Sequence, residues 1–139
     1  MGGGSLRYLL DTHVWLLAME APDRLSPAVR HVLFDSTNLP FGISVISAWE
    51  VVKKESIGRL RLSSPIRQWL SSACREPFVE LLPLSLDTSY EANHLPGSFH
   101  RDPADQIIVA TGRIHSLTLI TADAKILEYP HVKTLKAKR

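Results

Sequence analysis

The chain of 139 residues has little of several features that mark other classes of protein. Its single cysteine, Cys74, excludes a disulfide within the chain and suits a reducing compartment. No apolar run approaches the roughly 20 residues that span a bilayer, so we expect a cytoplasmic protein with no membrane partner. The formal net charge of +2 is too small to identify a nucleic-acid-binding protein by itself.

Three signatures of common functional classes are also missing. The six histidines show no ligand spacing with one another or with Cys74, which argues against a structural zinc site. The residues after the first predicted strand, 11–14, contain no glycine, which excludes a dinucleotide-binding turn. A haloacid-dehalogenase-type phosphatase needs a second aspartate where His13 stands, and a response-regulator receiver needs an acid where Leu10 stands.

Short apolar strands alternate with helical segments along the chain. This order predicts an α/β fold with three layers, α/β/α, around a central, mostly parallel sheet of four to five strands. The strands are predicted at 6–10, 39–44, 78–84, 117–121 and, at the edge, 132–135. Helices are predicted at 12–19, 27–35, 45–56, 65–75, 86–94 and 103–115, with a helical turn at 124–128.

The domain organisation is predicted to be simple. Residues 1–5, MGGGS, have no hydrophobic region of the kind found in a signal peptide, and we interpret them as a flexible leader or a remnant of cloning. Residues 6–139 are predicted to form one domain, which at this length buries about two-thirds of its unfolded surface.

Four acidic residues fall at comparable places in this pattern. Asp11 directly follows the first strand, and Asp123 follows the fourth. Glu50 lies in the helix after the second strand, and Asp105 lies in the first turn of the helix before the fourth. Because open α/β sheets place their ligands at the carboxyl ends of the strands, we expect these four carboxylates to meet there.

Helix capping offers another explanation for most of these acids. Asp11 and Asp123 each precede a predicted helix, where aspartate is a favoured N-cap. Asp102, Pro103 and Asp105 form a helix start with a cap, a first-turn proline and an acid near the positive end of the helix dipole. Capping is the favoured interpretation of Asp102.

Glu50 has no such explanation. Its neighbours at positions 46, 48, 49, 51 and 52 are apolar, so its carboxylate is expected to be at least partly buried. Pairing with Lys53 or Lys54 along the helix contributes only about 0.2–0.5 kcal/mol, less than the cost of burying an unpaired charge. A bound cation accounts for Glu50 better.

Four clustered carboxylates suit Mg²⁺ or Mn²⁺, which favour hard oxygen ligands and accept phosphate oxygens. The chemistry that follows is hydrolysis of a phosphodiester by a metal-activated water. Hydroxyls of Thr12, Ser47 and Thr121 are candidates to orient the carboxylates or the metal's waters. Arg101, beside His100, is either a phosphate ligand or part of a solvated loop.

Several segments of the chain together resemble the PIN-domain ribonucleases, and in particular the VapC-type toxins of toxin–antitoxin pairs. The similar segments are YLLDTH at 8–13, SAWEV at 47–51, GRL at 58–60, HRDPADQIIVAT at 100–111 and LITAD at 119–123. Two positions depart from the family pattern: Gln106 replaces a common basic residue, and Gly112 replaces a small alanine.

The resemblance implies a PIN-like fold and an endoribonuclease whose acidic set of Asp11, Glu50, Asp105 and Asp123 binds Mg²⁺ or Mn²⁺. It also implies cleavage of structured RNA such as tRNA or rRNA, a homodimer, inhibition by a cognate antitoxin, and binding of promoter DNA only through that antitoxin. The alternative from another class is a PIN-like protein that binds RNA or a partner without catalysis.

Overall fold

The computed structural model describes residues 6–138, so the predicted leader at 1–5 lies outside the described part. A five-stranded parallel sheet has the order β3-β2-β1-β4-β5. The strands are β1 Tyr8–Leu10, β2 Phe41–Ser44, β3 Val79–Leu82, β4 Thr118–Thr121 and β5 Thr134–Lys136. The helices are α1 Thr12–Glu20, α2 Pro27–Leu33, α3 Val45–Ser56, α4 Ile66–Ala73, α5 Leu86–Ala92, α6 Pro103–Ile114 and α7 Ala124–Leu127.

Helices cover both faces of this sheet because successive strand residues point to opposite sides. Leu10 of β1 and Ile120 of β4 pack with helices α1, α2 and α4 on one face. The neighbouring residues Leu9 and Leu119 pack with α6 and α7 on the other. The expected α/β/α arrangement and parallel sheet are therefore confirmed.

All the predicted elements are present, and their ends differ from the prediction by at most two residues. The second strand begins at Phe41 and not at Leu39, because Pro40 has no N–H to donate and the first paired donor is the Phe41 amide. The second helix ends at Leu33, since Asp35 already caps a 3₁₀ turn over Ser36–Asn38. The edge strand begins at Thr134 and not at Val132, whose side chain packs into the core.

The order of the strands creates a switch point between β1 and β4. From β1 the chain builds the sheet in one direction through β2 and β3, and it later returns to build in the other direction through β4 and β5. Ligands of open parallel sheets bind at the carboxyl ends of strands at such a point. Asp11 and Asp123, which follow β1 and β4, lie there.

Of the helices within residues 6–138, none combines the length and the apolar character that crossing a membrane requires.

Candidate active site

Asp11 occupies the centre of the carboxyl edge of the sheet. It is the N-cap of α1, and its Oδ1 accepts a hydrogen bond of 2.8 Å from the Thr12 amide. Its Oδ2 accepts a hydrogen bond of 2.7 Å from the hydroxyl of Thr121 at the end of β4. Burial raises the pKa of this carboxyl, and the two hydrogen bonds and the nearby charges change it less. Asp11 thus caps its helix and is also buried among polar groups of the site.

Thr121 connects Asp11 to Asp123. The Thr121 hydroxyl is fully buried; it donates to Asp11 and accepts a hydrogen bond of 3.0 Å from the Asp123 amide. Asp123 caps α7, and its Oδ1 accepts hydrogen bonds from the amides of Lys125 at 2.8 Å and Ile126 at 3.3 Å. One buried hydroxyl therefore fixes the relative position of two of the four acids.

Glu50 is held by Thr12, the residue after Asp11. The Thr12 hydroxyl donates a hydrogen bond of 2.6 Å to Oε1 of Glu50 and lies 2.7 Å from the buried hydroxyl of Ser47, one turn earlier on α3. Glu50 is half-buried, as expected. Its apolar neighbours bury it less than the sequence suggests, because Trp49 is 60% exposed.

Asp105 is the acid whose electrostatics differ most from those of a free carboxyl. Burial, and after it the charges of Asp102, Asp11, Asp123 and Glu50 in that order, together raise its pKa to about 7. All four other carboxylates are therefore close enough to repel a charge on Asp105. The fold thus brings the other three predicted acids near enough to Asp105 for their charges to act on it.

His100 contacts Asp105 directly. Its Nε2 lies 3.0 Å from Oδ2 of Asp105, within ion-pair distance but outside hydrogen-bond geometry. The sequence indicated His100 as part of a loop that contacts phosphate or solvent, and this contact to the acid was not predicted. It arises because the loop before α6 folds back over the first turn of that helix.

The remaining predicted residues lie at the outer side of the cluster. Asp102 caps α6, accepting hydrogen bonds from the amides of Ala104 at 2.9 Å and Asp105 at 3.4 Å, as the capping interpretation predicts. Arg101 is exposed next to it. Neither side chain is held among the buried hydroxyls of Thr12, Ser47 and Thr121.

The donor set fits a hard divalent cation in its chemistry. It consists of carboxylates, and the charges of the other three raise the pKa of Asp105, an arrangement that a dication stabilises. Within residues 6–138, however, no three His, Cys, Asp or Glu side chains converge closely enough to hold one ion. In this structure each of the four acids contacts a neighbouring protein group.

A positively charged edge also lies beside Asp11. Nζ of Lys138 lies 3.0 Å from Nε2 of the exposed His13. Partial desolvation of its ring lowers the pKa of His13, and the charges of Lys138, Arg24 and Lys54 lower it further. Only the parallel pairing of β5 with β4 brings the basic C-terminal segment to this edge, and the sequence pattern gave no signal for that contact.

Comparisons with known proteins agree with this geometry. The family model of the PIN domain matches residues 8–132. Ribonuclease VapC22 from Mycobacterium tuberculosis is 30% identical over 123 residues, which cover 88% of this chain and 92% of that protein.

Solved structures share the fold at lower sequence identity. VapBC2 from Rickettsia felis, bound to a DNA fragment from its promoter, matches with a TM-score of 0.71 and 16% identity, covering 96% of this chain and 100% of that one. DNA-bound VapBC from Salmonella typhimurium matches with a TM-score of 0.66 and 14% identity, covering 94% and 98%. The chain belongs to the PIN-domain family, and within it the chain is similar to the VapC-type proteins.

Proposed function

We propose that this protein is a metal-dependent endoribonuclease and the toxin of a type II toxin–antitoxin pair, cleaving structured RNA such as tRNA or rRNA. The observation that carries the proposal is Asp105, whose pKa is raised to about 7 by burial and by the charges of four other carboxylates. Such mutual repulsion costs stability unless a cation offsets it. The name of the similar protein, Ribonuclease VapC22, supports the same reaction.

Asp11, Glu50, Asp105 and Asp123 would hold Mg²⁺ or Mn²⁺. The bound ion would supply an activated water for hydrolysis of the phosphodiester and would offset negative charge on the leaving oxygen. The chain's own part is to position the carboxylates from four separate segments at the carboxyl edge of the sheet.

The buried hydroxyls around the acids act as positioning groups. Thr121 holds Asp11 and the backbone of Asp123, and Thr12 holds Glu50 with Ser47 as its neighbour. Hydrogen bonds between fixed hydroxyls and carboxylates limit how the ligands turn, as outer groups do in metal sites. Arg101, exposed beside this cluster, is proposed to bind a phosphate of the RNA.

The partners belong to the same proposal. We infer a cognate antitoxin that covers the site, a homodimer of this chain, promoter DNA bound only through the antitoxin, and a cytoplasmic location where RNA substrates occur. The support is that matched structures are toxin–antitoxin complexes, one from Klebsiella pneumoniae and others bound to DNA.

The test is RNA cleavage by the purified protein with Mg²⁺ or Mn²⁺, with and without EDTA. We expect cleavage that stops in chelator and falls by at least about 100-fold in Asp11→Asn. Asp35→Asn is the matched control, because Asp35 is also an N-cap that accepts from a threonine amide and hydroxyl but lies away from the site.

Two outcomes would overturn the proposal. Cleavage that persists in EDTA would exclude the metal mechanism. If the Asp11→Asn variant affected growing cells as strongly as the wild type does, the result would instead support the alternative, a PIN-like protein that acts by binding.

A further inference from the structure

A group of basic side chains lies beside the acidic cluster, around His13, the second residue after Asp11. We call it the basic rim and define it as Lys138, His13, Lys54 and Arg24. Its members come from four different parts of the chain: the C-terminal segment, α1, α3 and the 3₁₀ turn at Pro22–Arg24. The fold, and not a run of basic sequence, brings them together.

The backbone fixes Lys138 in this place. Ala137 is fully buried, its amide donates a hydrogen bond of 2.8 Å to the carbonyl of Thr121, and its carbonyl accepts one of 2.8 Å from the Ser26 amide. Thr121 is the residue whose hydroxyl holds Asp11. The C-terminal segment is therefore anchored against the site itself, and Lys138 is the next residue along it.

The side chain of Lys138 reaches His13. Its Nζ lies 3.0 Å from Nε2 of His13, and because an ammonium has only donors, the imidazole nitrogen accepts this hydrogen bond. Among residues 6–138, no carboxylate forms an ion pair with Lys138, Lys54 or Arg24. Lys54 and Arg24 are exposed, and Lys138 is half-buried. Their charges are available to an anion from outside.

We propose that the basic rim binds a backbone phosphate of the RNA one or two nucleotides from the bond that is cleaved. This inference rests on the proposed function, because it assumes that an RNA strand crosses the acidic cluster. A strand whose scissile phosphate lies at the acids carries its neighbouring phosphates past one side of them. Lysine and arginine there offset the repulsion between the polyanion and the carboxylates.

An RNA strand fits the rim better than an acidic protein segment does. A phosphodiester chain would contact both the acidic cluster and the basic rim, with its scissile phosphate at the proposed metal and its next phosphate at the rim.

The experiment measures binding separately from cleavage. A fluorescently labelled single-stranded RNA of mixed sequence is titrated with the protein in EDTA, at several salt concentrations, and its anisotropy gives the Kd. The variants are Lys138→Ala, Lys138→Arg and Lys54→Ala. The control is Lys133→Ala, an exposed lysine of the same C-terminal segment that lies beside Gly112 and Ser116 at the opposite end of β4.

We expect Lys138→Ala and Lys54→Ala each to weaken RNA binding by about threefold to fivefold and to lower the salt slope by about 0.7. Lys138→Arg should restore affinity, and Lys133→Ala should leave it unchanged. The melting temperature of each variant verifies that it is folded, and Lys54, which is exposed, provides a test independent of the anchored C-terminal segment.

Unchanged RNA affinity and salt slope in both alanine variants would overturn the proposal. The proposal would also be overturned if the two alanine variants bound duplex DNA of equal length more weakly but bound RNA as tightly as the wild type does. The same holds if they lost affinity only for an acidic peptide. Each of these results leaves metal-dependent cleavage by the wild-type protein untouched, so the two proposals fail separately.

Discussion

The hydroxyl of Thr12 lies 2.6 Å from a carboxylate oxygen of Glu50, a residue 38 positions later in the chain. Thr12 directly follows Asp11, so one of these two consecutive residues is an acid of the site and the other holds a second acid, Glu50. The same hydroxyl lies 2.7 Å from Ser47. Helices α1 and α3 are thus joined at the site by one buried polar contact.

Replacing Thr12 by valine should separate positioning from folding. Thr12→Val keeps the shape but removes the hydroxyl, which leaves Glu50 free to turn and costs about 1–3 kcal/mol of stability because Ser47 loses its partner. We expect RNA cleavage to fall about tenfold or more. Thr12→Ser, which keeps the hydroxyl, should retain most of the activity; equal losses in both variants would show that the hydroxyl has no positioning role.

Thr121 provides a second test of positioning, now between Asp11 and Asp123. Thr121→Val removes the hydroxyl that donates to Asp11 and accepts from the backbone of Asp123. We therefore expect it to slow RNA cleavage much more than the control variant does, with a similar loss of stability in both. Thr111→Val is the control, since Thr111 is also fully buried but donates only to the carbonyl of Ile107 within α6. Cleavage rates and thermal unfolding measured side by side distinguish the two, and a Thr121→Val protein with full activity would refute the role.

The raised pKa of Asp105 predicts how the stability of the metal-free protein changes with pH. In the unfolded chain this carboxyl ionises near 3.8, whereas in the folded protein it keeps its proton until about pH 7. The folded state therefore binds more protons between these values, and the free energy of unfolding falls as pH rises from about 4 to 7. This contribution changes little above pH 7.

Asp105→Asn removes that effect and should stabilise the metal-free protein by roughly 2 kcal/mol at pH 8, with a much smaller gain at pH 4. Asp87→Asn, an equal change of charge at an exposed site in the first turn of α5, should show no such difference between the two pH values. Urea unfolding at both pH values measures it. A destabilised Asp105→Asn at pH 8 would contradict the cause assigned to the raised pKa.

The sequence predicts the acids better than it predicts their contacts. Asp11 and Asp123 can be identified because each follows a buried strand, and Glu50 because its segment is otherwise apolar. The hydrogen bond from Thr12 to Glu50 depends on how α1 packs against α3, and no local pattern in the sequence determines that packing. The contact of His100 with Asp105 depends on the path of a loop, and that of Lys138 with His13 depends on the pairing of the last strand.

The periodicity of apolar residues also has a limit as a guide to burial. Trp15 and Trp69 pack together in the core, with their ring centroids 5.1 Å apart. Trp49, in an equally apolar helical segment, is 60% exposed. A periodic pattern shows that a helix has an apolar face. It does not show whether that face packs within the same chain or lies at the protein surface.

The central claim is that the four carboxylates bind a divalent metal, and calorimetric titration with Mn²⁺ tests it most directly. Two buffers with different heats of ionisation give the number of protons released, which reports the deprotonation of Asp105 when the ion binds. We predict about one proton per ion at pH 6 for the wild-type protein, since that pH lies below the Asp105 pKa of about 7, and much weaker binding with little proton release in Asp105→Asn. The claim would be contradicted if the wild type did not bind Mn²⁺, or if Asp11→Asn and Asp105→Asn bound Mn²⁺ as tightly as the wild type does.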